Sequence, residues 1–134
     1  MPVLFLTLDE ALAIHAHQIS RYGGALGLRD RGLLESALAM PAARFAGELL
    51  HPSLAEQAAA YLFHLVKNHP FFDGNKRVGL ACSLAFLRLN GVRIRASDDD
   101  LVDLVMGVAE GRLAKADVAV FFRERSTPES RRRR

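Results

Sequence analysis

His69-Pro70-Phe71-Phe72-Asp73-Gly74-Asn75-Lys76-Arg77 gathers an imidazole, a carboxylate, an amide and two cations within nine positions. Apolar helical periodicity lies on both sides of the run, so it reads as a loop entering the N-terminus of a helix. Free backbone N–H groups and a partial positive charge make such a terminus attractive to phosphate. Lys76 and Arg77 add two full charges in its first turn, an unfavourable place for cations unless an anion sits over them. Gly74 permits close backbone approach or a positive φ. Gly74, Asn75, Lys76 and Arg77 are therefore the expected phosphate-binding set. Asp73 is an oxygen donor of the kind Mg²⁺ takes when it also binds substrate phosphates. His69 falls near enough in sequence to face the same anion, and an imidazole's ordinary pKa of about 6.5 suits proton abstraction near neutrality. Phe71 is read as apolar and inward, anchoring the loop. The chemistry implied is transfer of a phosphoryl or nucleotidyl group from a magnesium-bound nucleotide to a protein hydroxyl. His69 would act as base, Asp73 would hold the metal, and Lys76 and Arg77 would offset developing charge.

Rival readings are weaker. Asp73 and Arg77, four apart, can form a plain helical ion pair worth a few tenths (~0.3) of a kcal/mol. That pair does not explain two cations beside a glycine at a helix start. The spacer and second glycine of a Walker motif are missing, and no His-Glu-x-x-His occurs. Ser83 sits inside an apolar helix and makes a poor nucleophile. Cys82, the one cysteine, reads as a small buried hydrophobe. His15 and His17 are two apart and diverge on a helix, and His64 reads as a satisfied core residue.

All nine positions of the run fit the pattern His-Pro-Phe-x-(Asp/Glu)-Gly-Asn-(Gly/Lys)-Arg, and the chain resembles the Fic/Doc family over roughly residues 1–125. Lys76 stands where the nucleotidylating Fic branch usually has Gly, and Leu80 where it usually has a second Arg. Both point to the Doc (death-on-curing) branch. Ile19–Gly24, Gly27–Glu35 and Phe86–Val92 also read like Doc-type toxins. The resemblance implies an all-α fold with the signature between two central helices. It further implies the toxin of a toxin–antitoxin pair, a kinase using Mg²⁺ and ATP. Its target would be elongation factor Tu, and translation would arrest. AMP transfer of the Fic type is the alternative, and a non-catalytic binding module a second one. Self-inhibited Fic proteins carry a (Ser/Thr)-x-x-x-Glu-(Gly/Asn) helix. Here Met106…Glu110-Gly111 lacks the hydroxyl residue, so inhibition is expected in trans, by a Phd-like antitoxin.

The elements that must position these residues read as a single-domain bundle of about six helices. Thr7-Leu8-Asp9-Glu10 and Ser53-Leu54-Ala55-Glu56 are capping boxes. The first helix should run to about Ser20 and the third to Asn68, where Pro70 bars continuation. Asp30 caps a second helix that stops at Met40-Pro41. Residues 42–52 lack periodicity and read as a mobile loop or flap. The fourth helix, about Asn75 to Asn90, carries Gly79, Ala81, Cys82, Ser83 and Ala85. It reads as the central, fully buried one. Val92-Arg93-Ile94-Arg95 is a connector, Ser97 or Asp98 caps a fifth helix, and a sixth covers about 115–125. No strand pair is expected, and residues 126–134 read as a disordered basic tail.

The 134 residues suit one domain, and half of them are hydrophobic. The net charge of +3 is smaller than the contribution of the four arginines at 131–134 alone. The body is near neutral, which argues against direct nucleic-acid binding. No apolar run approaches a membrane span, no secretory signal is evident, and a single cysteine suits a reducing compartment. A cytoplasmic protein without a membrane partner is expected.

Overall fold

A computed structural model describes residues 2–129. Six helices carry it: α1 (Leu8–Tyr22), α2 (Arg31–Ala39), α3 (Leu54–Asn68), α4 (Asn75–Leu89), α5 (Asp98–Ala109) and α6 (Lys115–Arg125). The fold is all-α, as the periodicity requires. Both capping boxes form: Thr7 and Glu10 at α1, Ser53 and Glu56 at α3. Asp30 caps α2 through the Leu33 N–H, and Ser97 caps α5 through that of Asp100. The first helix outruns its expected end by two residues and closes at Gly23, whose φ of 86° suits glycine.

Two corrections concern strands. Within the segment read as a loop or flap, β1 (Arg44–Phe45) pairs antiparallel with β2 (Glu48–Leu49). The expected connector forms β3 (Val92–Ile94), which pairs with β4 (Ser126–Pro128). The start of the expected disordered tail is therefore ordered, and Glu129 extends the pairing by donating its N–H to Gly91 O at 2.9 Å. Val92, Arg93 and Ile94 alternate apolar and charged residues, as a strand does, but Ser-Thr-Pro carries little strand propensity and is drafted by its partner. The four arginines at 131–134 lie outside the described residues.

A third correction concerns the centre. α3, not α4, is the hub, because α2, α4, α5 and α6 all pack on it. It buries Ala58, Ala59, Ala60, Tyr61, Leu62 and Leu65 completely, whereas α4 exposes Leu89. Small residues still govern the α3–α4 contact. A Cβ on Gly79 would lie 2.9 Å from Val66 Cγ2 and 3.2 Å from the Leu62 carbonyl oxygen. A second apolar cluster joins Ala11, Leu34, Ala37 and Phe71 to Val78 and Cys82 of α4. Cys82 is fully buried, and burial pushes its thiol up to about 12. Among the described residues, no helix is long and apolar enough to cross a membrane.

His64 is half-buried rather than a core residue, and Lys115 Nζ donates to its Nε2 at 3.0 Å. Burial, then the charges of Lys115 and His51, push its pKa down to about 4 from 6.5. Burial lowers His51 as well. The unfolded chain then takes up protons before the folded one, so stability should fall as pH drops from about 6.5 to about 4. Solvent screening at the half-exposed site holds the His64 share to on the order of 1 kcal/mol. Urea melts at stepped pH should show this slope, reduced in His64→Leu and carried on by His51.

Candidate active site

The turn between α3 and α4 is built on backbone constraints. His69 closes α3 in the left-handed region, with φ 54° and ψ 53°. That conformation costs a residue bearing a Cβ roughly 1–2 kcal/mol, and a following proline restricts it further. Arg29 spans the helix end, with Nε donating to His69 O at 2.7 Å and Nη2 to Asn68 O at 3.1 Å. The N–H groups of Arg29 and Asp30 both donate to Pro70 O, at 2.7 and 2.9 Å. Phe72 donates its N–H to Gly27 O at 3.1 Å, and Leu28 bridges Phe71. Residues 27–30 thus lie along the turn like a splint.

Phe71 is inward as expected, 1% exposed, with its ring stacked on His15 at 3.7 Å between centroids. The Asn75 side chain holds both sides of the Phe71 peptide unit. Its Oδ1 accepts the Phe71 N–H, and its Nδ2 donates to the Phe71 carbonyl, each at 2.9 Å. Asn75 is 4% exposed, so its amide side chain serves the loop and only its backbone N–H is left for an anion. His15, itself buried, donates from Nε2 to Asp73 O at 2.8 Å.

His69, Asp73, Gly74, Lys76 and Arg77 all line one cavity of about 570 Å³. Phe72 stands at it, 60% exposed. Gly74 caps α4 with φ 77° and ψ 18°, and no side chain caps that end. The first-turn N–H groups are left for another acceptor. Asp73 is exposed; its Oδ2 accepts the Ala25 N–H at 3.1 Å and its Oδ1 that of Gly74 at 2.9 Å. Those two hydrogen bonds, then the Arg77 and His15 charges, hold its carboxyl below the usual range. The Asp73–Arg77 ion pair does not form. Arg77 Nη1 instead approaches Gln18 O at 3.5 Å. The carboxylate is anionic, solvent-facing and retains a lone pair on each oxygen, which suits one protein ligand of a Mg²⁺ that takes its other oxygens from phosphates and water. Among the described residues, no group of three or more His, Cys, Asp or Glu residues is placed to hold a metal ion by itself.

The Fic/DOC family pattern matches residues 5–87. The chain belongs to the Fic/DOC family. A protein of Escherichia phage P1 named Protein kinase doc is 40% identical over 111 residues, covering 83% of this chain and 86% of the relative. Toxin Doc of Mycolicibacterium smegmatis is 45% identical over 92 residues, covering 69% of this chain and 70% of the relative.

Within this Fic/DOC site, several contributors escape a reading of the signature alone. Lys67 lines the cavity and adds a third cation. His15 occupies the apolar stripe of α1 with Ala11 and Ile19, so its burial was legible there. Its hydrogen bond to Asp73 spans 58 positions and was not. Gly24 leaves room for the carboxylate, since a Cβ there would fall 2.6 Å from Asp73 Oδ2.

Asn75→Ala should be costly, because it strands a buried N–H and a buried carbonyl of Phe71. A loss of about 2–4 kcal/mol in chemical denaturation is expected. A loss under about 0.5 kcal/mol would show that the clamp is redundant.

Proposed function

We propose that this chain is a Doc-type toxin that transfers the γ-phosphate of Mg-ATP to a hydroxyl of a translation factor. Elongation factor Tu is the target suggested by family resemblance. The observation that carries the reading is one cavity shared by an exposed imidazole on a left-handed residue and an uncapped, cationic helix start beside Asp73. His69 takes the proton from the attacking hydroxyl. The α4 N–H groups, Lys76 and Arg77 cradle the phosphates and stabilise charge as it spreads over the transferred group. Lys67, on the α3 side, adds to the positive field. Asp73 would hold Mg²⁺ together with the phosphates, and the bound ion would neutralise part of their charge.

Leu80 supports γ-phosphate over AMP transfer. At the position where nucleotidylating relatives of the signature carry a second arginine, it packs into the apolar core. No second guanidinium clamp is available from that position. Glu110 supports inhibition in trans. Its Oε1 pairs with Arg112 Nη2 at 2.9 Å rather than reaching the cavity. A Phd-like antitoxin is the expected partner.

Incubating the protein with a translation extract and either α- or γ-labelled ATP tests the reading. Label should pass to one protein from the γ position only, and His69→Ala should lower transfer by roughly 100-fold or more. Label retained from the α position would replace kinase by AMP transfer. No transfer from either position, with Mg-ATP binding absent by calorimetry, would leave a non-catalytic module.

A further inference from the structure

We infer that Arg29 is a positioning residue for the base, holding the His69 imidazole at the angle that proton abstraction requires. This rests on the transferase reading of the same site. His69 is disfavoured in its observed conformation twice over, by its Cβ at φ 54° and by Pro70 after it. Strained backbone persists where its surroundings over-determine it. The carbonyls on both sides of His69 Cα are those of Asn68 and His69, and both accept from one guanidinium, at 3.1 and 2.7 Å. Fixing both peptide planes fixes φ and ψ, and so the direction of the Cα–Cβ bond from which the imidazole hangs. The guanidinium charge also complements the negative end of α3.

Other contacts hold the chain nearby but leave this angle free. The amides of Arg29 and Asp30 secure Pro70 O, and Asn68 Nδ2 donates to Leu33 O at 3.0 Å. Those bonds survive removal of the Arg29 side chain. Arg29 is exposed and outside the apolar clusters, so its loss should leave the bundle folded. It does not line the cavity, which separates it from the phosphate-binding cations.

The test compares the full-length wild type with Arg29→Ala, Arg29→Lys and the control Arg31→Ala, whose arginine pairs with Glu35 on α2. Transfer from γ-labelled ATP gives kcat and KM, and NMR of histidine-labelled protein gives the His69 Cα and Cβ shifts. Arg29→Ala should lower kcat roughly 10- to 100-fold and leave KM for Mg-ATP within about twofold. The His69 shifts should move away from left-handed values, and millimolar guanidinium should restore both readouts in part. Arg29→Lys, able to serve one carbonyl, should fall between, and Arg31→Ala should match wild type. Unchanged kcat, a rise in KM alone, or a kcat loss with unmoved His69 shifts would each overturn the inference. If wild type transfers no label, the transferase reading fails by itself. The NMR comparison then still decides whether Arg29 holds His69.

Discussion

Two helices meet at an abrupt turn, and the polypeptide there must satisfy its peptide groups outside either helix's backbone hydrogen-bond ladder. α3 ends at Asn68 and α4 begins at Asn75. Between them His69 and Gly74 both take positive φ. The Asn68, His69, Pro70, Phe71 and Asp73 carbonyls find partners in Arg29, Asp30, Asn75 and His15. A buried peptide group left without a partner costs about 1–3 kcal/mol, so this set is what lets a short, bent connection be rigid. Rigidity there fixes the positions of both His69 and Asp73, which lie in the turn and line the same cavity.

The same turn leaves its positive charge unanswered. α1, α3 and α5 carry carboxylates in their first turns, but α4 carries Lys76 and Arg77. Carboxylates offset the helix dipole, whereas these cations add to it, together with N–H groups that no side chain caps. Asp73 does not discharge the site, since its oxygens are held by backbone N–H groups and no ion pair with Arg77 forms. Such an arrangement is electrostatically poor in the free protein and becomes favourable only when an anion occupies it.

Local chemistry was legible in the sequence and long-range support was not. Capping boxes and Pro70 marked the helix ends within about two residues because each acts through its own neighbours. Phe71 was legible as an anchor, since an aromatic beside Pro70 in a loop has few other uses. Asn75 was read as a phosphate contact because an amide at a helix start is compatible with either role. Only the fold shows its side chain spent on Phe71. Arg29 and His15 lie 40 and 58 positions from the backbone atoms they hold, beyond the reach of any periodicity argument. The centre was misplaced for a related reason. Small residues on α4 signalled close packing, but closeness to one neighbour does not make a helix the hub.

Helix packing sets the width of the site. His69 hangs from the end of α3, and Lys76 and Arg77 rise from the start of α4. Their separation therefore follows from how closely the two helices lie. Gly79 fixes that approach, since any larger residue would meet Val66 and the Leu62 carbonyl. Both of those contacts lie in the last two turns of α3, immediately before the turn itself. A side chain at position 79 would thus press apart the ends that carry the imidazole and the cations. The glycine that packs the core and the glycine that opens α4 consequently serve one geometry. Gly79 sets the spacing, and Gly74 turns the freed N–H groups toward whatever fills the space.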